Sequence, residues 1–426
     1  MRGRKKLHVR SLGIQANSLK IARALTAEPG FSFLWTASGD GPSYVAAYPT
    51  EVSDALDPEP ELALESSTGR WRDAPRWIGL LPYECARDLE RPAWTRRPED
   101  RAAPHVETPR WLRYGAVICI AEEVVVVGDD ERAVERLAGL ATRRVDPGEV
   151  VAAAHGDPEP DAVHRARIER ALELIGQGEI YQVNVARRFQ FSLSARAVDC
   201  VARFARSARA PFMFGMEHDG LMVAGGSPEL FLELGAGGQL TTLPIKGTRP
   251  RGTDAVMDGA LASELDADPK ERAELAMVVD VERNDLGKIA VTGSVRASRA
   301  PRVRTFGSVH HRVARVTARL RDGIGRHDVL KATLPSGSVT GAPKVRAMEV
   351  IAELERERRG LYTGAFGHVG HDGSMRLAMA IRTLTAKHGV AHYFAGGGIV
   401  ADSDSRREVE ETRWKAVQML DLLRST

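Results

Sequence analysis

The sequence has few cysteines and no long apolar run. Its three cysteines, Cys85, Cys119 and Cys200, are widely spaced and form no metal-ligand pairs, which argues against a disulfide framework and against a zinc site. No apolar run approaches the roughly 18 residues that span a bilayer, and the basic start of the chain is not followed by the apolar core of a signal peptide. We therefore expect a cytoplasmic protein without a membrane partner.

The chain also lacks a strong charge of either sign. Its 60 lysines and arginines nearly balance its 57 aspartates and glutamates, so that the formal net charge is +3. This excess is too small to demand a nucleic-acid partner, although it suits a small anionic substrate. With 426 residues, of which 43% are hydrophobic, the chain can bury a large core in one very large domain or in two ordinary ones.

The pattern of the sequence changes near residue 150. Before it, strand-like stretches such as RWIGLLPYE alternate with polar segments, and the Pro-, Gly- and acid-rich residues 145–161 are typical of a linker. After it, helices and strands mix without the regular alternation of a parallel sheet. We therefore predict an α+β architecture with a largely antiparallel sheet.

One predicted hairpin brings an acid and an amine together. Its two strand-like stretches are separated by GAGG, residues 235–238, which has the composition of a hairpin turn. If Leu234 pairs with Gln239, then Glu229 and Lys246 become diagonal neighbours about 7–8 Å apart on one face of the ribbon. An exposed cross-strand ion pair is the ordinary alternative.

A helix is predicted over residues 268–287. Its glutamates Glu271 and Glu274 are spaced i, i+3 and project from one face of the first turns. Carboxylates at this end of a helix often serve only to balance the helix dipole. One helical stripe is formed by Leu275, Val279, Glu282 and Leu286.

The last predicted helix, within residues 395–420, also carries carboxylates. Glu408, Glu411 and Lys415 run along one line of it. Ser405 with Glu408 fits a capping box, which would explain Glu408 structurally but not Glu411. Two helices that each offer carboxylates suit a hard cation such as Mg²⁺, with water and substrate oxygens completing its coordination.

Glycine-rich turns offer free backbone amides at two further places. Ser338 and Gly341 lie in PSGSVTGAPK, and Gly396, Gly397 and Gly398 follow one another directly. The amides of both segments could receive an anion. Most turns of this kind bind nothing, so neither is a site by itself.

Taken together, these segments resemble the chorismate-utilising enzymes. The matching stretches, in family order, are GEIYQVNVARRF, GSPELFLEL, PIKGTRPRG, AELAMVVDVERNDLG, VHHRV, PSGSVTGAPKVRAMEVIAELE, MAIRT, AGGGIVADSD and EVEETRWKA, and they cover about residues 160–420. The resemblance implies the fold of anthranilate synthase component I, a large two-sheet, mostly antiparallel β-sandwich with surrounding helices. Residues 1–150 would be its variable N-terminal part and residues 160–424 its chorismate-binding catalytic domain.

The resemblance also implies a reaction. Within the family, PIKGT is the form found in aminodeoxychorismate synthases, whereas anthranilate synthases usually have alanine at the position of Lys246. It implies that the Lys246 amine adds at C2 of chorismate as the C4 hydroxyl leaves, and that ammonia then adds at C4 and expels the lysine. Glu229 would donate a proton to the departing hydroxyl, and His311 matches a histidine near the ring. The expected product is 4-amino-4-deoxychorismate, a precursor of 4-aminobenzoate and folate.

Further roles carry over position by position. Glu274 and Glu411 match the ligands of a Mg²⁺ ion, with Glu271 and Glu408 in supporting positions. Substrate contacts are implied for Gly247, Thr248, Ser338, His368, Arg382, Gly396, Gly397, Gly398 and Lys415.

Two positions depart from the family, which commonly has tyrosine where His368 stands and an acidic residue where Arg376 stands. His368 could still donate a hydrogen bond to the enolpyruvyl side chain. Gln182 counts against the isochorismate type of enzyme, which usually carries a water-activating lysine at that position.

The source of ammonia is expected to be a partner. No Cys/His/Glu amidotransferase apparatus is visible around the three cysteines, so a glutamine amidotransferase subunit should deliver ammonia. Two alternatives stay open. One is another chorismate enzyme, of the anthranilate or isochorismate synthase type; the other is a chorismate-fold subunit without turnover, against which the intact Glu229, Lys246, Glu274 and Glu411 argue.

Overall fold

The computed structural model describes residues 6–39, 41–65, 69–88, 104–156, 158–207, 210–298, 300–307 and 309–425. All strand pairings among these residues are antiparallel. Helices surround the sheets, so the predicted α+β class with two large antiparallel sheets is confirmed. A third, small sheet accompanies them.

The first sheet has 12 strands among the described residues. In spatial order they are β1 (His8–Ser11), β8 (Val124–Gly128), β7 (Ala116–Ile120), β3 (Ser43–Ala46), β2 (Ser32–Trp35), β11 (Phe212–His218), β12 (Leu221–Ser227), β23 (Thr383–Lys387), β24 (Val390–Ile399), β10 (Gln182–Ser194) and β20 (Gly341–Ala342), with β9 (Val151–Ala154) paired to β10.

The second sheet runs β16 (Arg296–Ala297), β19 (Val316–Arg319), β14 (Gln239–Leu243), β13 (Leu230–Leu234), β22 (Met375–Met379), β21 (Ala365–Gly370), β5 (Pro75–Leu81), β6 (Arg110–Tyr114) and β4 (Pro49–Ser53). The small sheet is β15 (Ile245–Pro250), β18 (Val309–Val313) and β17 (Arg302–Phe306).

The helices are α1 (Ser18–Leu25), α2 (Glu131–Leu140), α3 (Asp161–Gly176), α4 (Ala197–Ser207), α5 (Ala255–Ala267), α6 (Pro269–Gly287), α7 (Arg326–Thr333), α8 (Lys344–Leu354) and α9 (Ser405–Arg424). Among the described residues, no helix combines the length and the apolar character that a membrane crossing requires.

Strand alternation divides the core into layers. On β7, Val117 and Cys119 point into a cluster shared by the two large sheets, while Ile118 points to a cluster that includes α1, α2 and α4. On the far side of the second sheet, α6 and α7 pack through Leu286 and Val329. The two sheets therefore lie face to face between outer layers of helices.

The segments before and after residue 150 share their sheets. Both large sheets contain strands from the N-terminal 150 residues and strands from the remainder of the chain. Residues 145–161 were expected to be a linker, but they include β9, which pairs with β10. The N-terminal part therefore completes the sandwich in which the remaining elements lie.

Candidate active site

A bulge on β15 positions Lys246. The pairing of β15 with β18 shifts register between Lys246 and Thr248, and Gly247 between them has φ +77°. A Cβ on Gly247 would lie 3.0 Å from Oε2 of Glu271, so glycine fits this turn in both conformation and space. The Lys246 amine points toward β24, where a Cβ on Gly398 would lie 3.4 Å from Nζ.

The Lys246 side chain is half-buried and forms no hydrogen bond or ion pair with the residues that the structure describes. A partly buried amine without a partner is available to form a bond or a hydrogen bond with a bound molecule. The ordinary alternative, an exposed cross-strand pair with Glu229, is not what the structure contains, since Glu229 is only 5% exposed.

The predicted hairpin register was wrong. Leu234 pairs with Leu240 rather than with Gln239, Leu230 pairs with Leu243, and a bulge lies between these pairs. Bulges of this kind depend on contacts with neighbouring strands, which the hairpin sequence alone does not contain. Glu229 nevertheless lies near Lys246, whose positive charge acts on its carboxyl.

Glu229 is a buried acid. Burial raises the pKa of its carboxyl to about 7, against the opposing effects of a hydrogen bond from Ser338, the charge of Lys246 and the backbone N–H of Ile245. A large fraction of Glu229 is therefore protonated at neutral pH. Such a group can donate a proton to a departing oxygen.

His311 presents one free ring nitrogen. Its Nδ1 lies 3.0 Å from Oγ1 of Thr248 and 3.3 Å from the carbonyl oxygen of Gly247, whereas Nε2 is buried without a partner among the described residues. Burial and then Arg382 lower the pKa of His311 to about 4, so the ring is neutral. Because a carbonyl only accepts hydrogen bonds, we assign the proton to Nδ1 and an accepting lone pair to Nε2.

Arg382 supplies an unpaired positive charge close to His311. Its backbone has φ +51°, a conformation that is uncommon for residues other than glycine. The residue as a whole is exposed, but its guanidinium is enclosed enough that burial lowers its pKa, and it makes no hydrogen bond or ion pair with the part of the chain that the structure describes. It is thus available to bind a carboxylate through two nitrogens.

The glycines of β24 keep one edge of the site open. Beyond Tyr393, β24 pairs with β10 but no longer with β23, so Gly396–Gly398 has a free edge among the described strands. A Cβ on Gly396 would lie 2.8 Å from the Tyr362 hydroxyl, and one on Gly398 would lie 2.7 Å from Nε2 of Gln182. Glycines at these positions let the Tyr362 hydroxyl and the Gln182 amide approach the strand more closely than a Cβ would allow.

Gln182 lies next to Gly398, as the Lys246 amine does. It is 1% exposed, and neither its amide oxygen nor its amide nitrogen has a hydrogen-bond partner in the described structure. Buried amides are normally paired, so this one is available to a bound molecule.

The carboxylate of Glu271, on α6, lies beside Gly247. Burial raises the pKa of Glu271, and the charges of Glu274 and Asp268 raise it further. Lys270 Nζ lies 3.1 Å from Oδ2 of Asp402, in the turn before α9. These contacts bring the N-terminal ends of α6 and α9 together.

The α9 carboxylates have different partners from those expected. Asp404 rather than Ser405 caps the helix, accepting from two backbone amides, so the predicted capping box was wrong. Both residue types are good N-caps, and the sequence does not decide between neighbours. Glu408 instead accepts from Ser403 at 2.9 Å, and Glu411 lies 2.6 Å from Nζ of Lys415.

The four carboxylates do not form a single cluster. Among the described residues, no group of three or more His, Cys, Asp or Glu side chains lies close enough to hold a metal ion. Lys415 also donates to the Gly396 carbonyl oxygen at 2.9 Å, which links α9 to the open edge of β24. Burial raises the pKa of Glu408, and the charge of Glu411 adds to the increase.

The structure places His368 in a different cavity. Its ring lies 5.3 Å from that of Tyr44, and it lines a space together with Trp35, Phe212 and Arg376. His368 and Arg376 are direct cross-strand partners on β21 and β22, so the two departures from the family pattern are neighbours. The expected contact of His368 with substrate is therefore not supported.

The aromatic hydroxyl that does lie at Gly396 belongs to Tyr362, which sequence reasoning missed. It is six residues before His368, is 8% exposed and stacks on Phe394. The signal was present in the segment LYTGAFGH, where either ring could have been the one facing the site.

Comparison with known proteins gives a family. The model of the chorismate binding enzyme family matches residues 33–421. Anthranilate synthase component 1 of Streptomyces coelicolor is 43% identical over 265 residues, which are 62% of this chain and 52% of that protein. Aminodeoxychorismate synthase component 1 of Salmonella typhimurium is 45% identical over 244 residues, 57% of this chain and 53% of that protein. The chain thus matches about half the length of these curated relatives.

The fold has a solved counterpart. The crystal structure of anthranilate synthase component I from Streptococcus pneumoniae matches with a TM-score of 0.72 and 27% identity, covering 99% of this chain and 93% of that one. Two differently named enzymes are thus similar to this chain to nearly the same degree, and identity alone does not choose between them.

Proposed function

The chain belongs to the chorismate-binding enzyme family, and we propose that it aminates chorismate at C4 with ammonia to give 4-amino-4-deoxychorismate. The observation that carries this proposal is that the Lys246 amine lies next to Gly398 with no hydrogen-bond or ion-pair partner among the described residues. Because no described residue pairs with this amine, its nitrogen is free to form a bond to a bound ring, and only the neutral amine is a nucleophile.

The residues around this amine support a displacement in two stages. The Lys246 nitrogen forms a bond to C2 of the ring, and the C4 hydroxyl leaves as water with the proton of Glu229. Ammonia then forms a bond to C4, and the electrons of the C2–nitrogen bond return to Lys246. Glu229 suits its part because burial keeps much of it protonated at neutral pH.

Other groups of the cavity suit the polar parts of the substrate. Arg382 and Lys415 carry positive charge for the two carboxylates, and the free edge at Gly396–Gly398 offers backbone amides. The Nε2 lone pair of His311 would accept a hydrogen bond from a hydroxyl or an ammonium group on the ring. Ser338 and Thr248 hold Glu229 and His311 in place.

The carboxylates of α6 and α9 fit Mg²⁺ by their chemistry. Glu271 and Glu408 have raised pKa values, to which the neighbouring carboxylates contribute, so a cation would relieve repulsion there. Glu274 and Glu411 would hold it, with Glu271 and Glu408 in support. When bound, it supplies positive charge for the ring carboxylate. Mn²⁺ used as a probe should give an electron paramagnetic resonance signal of bound ion that weakens in Glu411→Gln; unchanged binding would remove Glu411 from this site.

A glutamine amidotransferase subunit is the proposed source of ammonia. The relatives are named component 1, which implies a second component in those proteins. A glutaminase needs a reactive thiolate, yet burial raises the pKa of Cys200 to about 12 and also raises that of Cys119, while Cys85 packs against an apolar cluster. Glutamine should therefore not support turnover by this chain alone, whereas ammonium salts should.

The decisive experiment identifies the product. The purified chain is incubated with chorismate, Mg²⁺ and excess ammonium, and the product is assigned by mass spectrometry and ring-position NMR. We expect the 4-amino isomer from the parent, and loss of this isomer in Lys246→Ala, with a 2-amino product in its place. Lys387→Ala, which changes an exposed lysine at the end of β23, serves as the control.

Three results would be decisive in the other direction. A 2-amino product from the parent would make the chain an anthranilate synthase type of enzyme, which the S. coelicolor relative represents. Unaltered 4-amination by Lys246→Ala would remove the nucleophile. Without ammonia, the parent but not Lys246→Ala should gain the mass of the ring in intact-protein spectra, and equal gains in both would point to another attachment site.

A further inference from the structure

Glu229 is connected to a second buried carboxyl through two serines. Ser338 donates to the carboxyl of Glu229, the Oγ atoms of Ser338 and Ser336 are 3.1 Å apart, and Ser336 Oγ lies 3.2 Å from Oε1 of Glu282. All four side chains are buried, with exposures of 3–6%. They form a continuous hydrogen-bonded series from Glu229, beside Lys246, to Glu282 of α6.

The local sequence builds this chain of hydroxyls. Ser336 caps the short 3-10 turn Gly337–Val339 and accepts from the backbone N–H of Ser338 at 3.1 Å, which orients both side chains. A Cβ on Gly337 would lie 2.4 Å from Cγ1 of Val281, so a glycine is needed for the turn to approach α6 this closely. The serines of PSGSVTG therefore serve a connection that runs beyond the substrate cavity.

Glu282 contacts hydroxyls instead of cations. Its other oxygen, Oε2, accepts from Thr242 of β14. The charged groups that act on it are Glu229 and, one turn along the same helix, Asp285. Asp285 is paired with Lys344 of α8 at 2.8 Å and with Lys288 at 3.1 Å.

The residues of α7 and β19 that pack around the four hydrogen-bonded side chains are apolar. The helix α7 packs against α6 through the apolar Val329 and Leu330, and β19 through Val316. The cation that faces Glu229 is Lys246 of β15. Burial raises the pKa of Glu282 to about 8, and the charge of Glu229 adds to the increase. The two carboxyls, Glu229 and Glu282, are therefore both largely protonated near neutral pH.

We propose that Glu282 is a positioning residue that supplies a proton to Glu229 through the hydroxyls of Ser336 and Ser338, so that the two carboxyls act as one acid. This inference rests on the proposed role of Glu229 in the amination of chorismate. Without Glu282, Glu229 would have only its own proton to donate to the departing oxygen.

The proton transfer balances over one turnover. As Glu229 gives its proton to the departing oxygen, forming water, the Ser338 proton moves to Glu229, that of Ser336 to Ser338, and that of Glu282 to Ser336. The negative charge ends on Glu282, where Thr242 and Ser336 stabilise it. The ammonium that forms when ammonia adds at C4 then loses one proton, which returns along the same chain. Over the whole turnover, the proton that the departing hydroxyl takes from Glu229 is thus replaced by one from ammonia.

The test is the pH profile of ammonium-dependent turnover. In the parent, Glu229 can be reprotonated for as long as Glu282 retains its proton. Glu282→Gln keeps the shape and the hydrogen bonds of the side chain but has no transferable proton. We expect the alkaline limb of kcat to move to lower pH by about one unit in Glu282→Gln, with KM for chorismate little changed. Ser336→Ala, which interrupts the chain and keeps both carboxyls, should move the limb in the same direction.

Glu217→Gln is the matched control. It makes the same substitution at a carboxyl whose pKa is also raised by burial, on β11, where it accepts from the backbone N–H of Ala197. Its profile should coincide with that of the parent. Coincident profiles for Glu282→Gln and the parent would overturn the proposal.

Infrared titration separates this proposal from the proposed function, because it needs no turnover. The band of protonated Glu229 is identified as the one lost in Glu229→Gln. In the parent it should titrate in two steps, since its proton is shared with Glu282, and in Glu282→Gln in one. A parent that leaves chorismate unchanged would refute the function, whereas identical titration of this band in both proteins would refute the link to Glu282.

Discussion

Two regions near β10 differ in how their charged side chains are paired. Arg359, 2% exposed, forms two hydrogen bonds to the Glu355 carboxylate and others to the carbonyl oxygens of Val339 and Asn184. Arg187 is satisfied in a similar way by Asp161 of α3 and by Thr412 and Val409 of α9. Each guanidinium connects several elements at once.

Around Lys246, two of the cations lack such partners. Lys246 and Arg382 make no ion pair with the residues described, Nε2 of His311 is unpaired, and so is the amide of Gln182. Yet Arg359 donates to the carbonyl oxygens of Val339, which follows Ser338 in the chain, and of Asn184, which pairs with Gly398. The paired charges therefore hold the walls in position, and the unpaired ones are available to a ligand.

The largest effect is expected from replacing Glu229, the proposed proton donor near Lys246. Glu229→Gln removes the transferable proton while preserving size, so kcat should fall by about 10²- to 10⁴-fold. The fold should survive because a neutral amide replaces a group that is already largely protonated. Single-turnover measurement with chorismate and ammonium checks this, and activity within a few-fold of the parent would assign the proton donor elsewhere.

The next effect distinguishes the two regions directly. Arg359→Met leaves Glu355 as an uncompensated buried carboxylate and should lower the free energy of unfolding by about 3–5 kcal/mol. Arg382→Met should instead change stability by about 1 kcal/mol or less, because the parent side chain has no partner to lose, while KM for chorismate rises. Urea unfolding and steady-state kinetics of both variants test this, and equal stability losses would contradict the distinction.

The pH dependence of stability gives a smaller, signed effect. The pKa values of Glu229 and Glu282 are raised to about 7 and about 8, chiefly by burial. The folded state thus binds these protons more tightly than the unfolded chain, in which glutamate titrates near 4.3. Their contribution to stability is complete below about pH 4 and is lost as the pH rises through about 7 and 8.

Glu282→Gln should therefore lose less stability than the parent between pH 6 and pH 9. At pH 9 we expect it to exceed the parent by about 1–3 kcal/mol, measured by urea unfolding. Glu122→Gln, which changes an exposed carboxylate, should follow the parent curve. A parent whose stability does not fall over this range would mean that these carboxyls are not held protonated.

Much of the fold follows from local pattern. Alternating strands and turn-rich spacers predicted an antiparallel α+β protein, which is confirmed, and strands such as β7 alternate between two apolar clusters as the period of two requires. The register of the Glu229 hairpin did not follow, because its bulge also shifts the pairing with β22, a strand more than a hundred residues away. Long-range pairing of this kind is absent from the sequence of the hairpin itself.

The sequence likewise predicted only part of the candidate site. The motifs pointed to Glu229, Lys246 and Ser338, and the structure brings these together. Glu282 lay on a stripe of otherwise apolar helix positions, and a charged residue there was a signal of a buried polar contact, but its partner Ser336 comes from a turn 54 residues away. Sequence spacing could not tell which of two nearby rings, Tyr362 or His368, faces the site, because this depends on how the sheets pack.

The smallest expected effect concerns that choice of ring. His368 lines the second cavity, beside Tyr44 and its cross-strand partner Arg376, and burial, then Arg376, lowers its pKa to about 3. Replacing it by the tyrosine that is common in the family should therefore leave kcat and KM for chorismate unchanged and alter stability by no more than about 1 kcal/mol. Tyr362→Phe is the comparison, because it removes a hydroxyl next to Gly396 and should raise KM several-fold with little effect on folding. If His368→Tyr changed turnover while Tyr362→Phe did not, the two rings would have exchanged roles, and the cavity between the sheets would have to be counted as part of the substrate site.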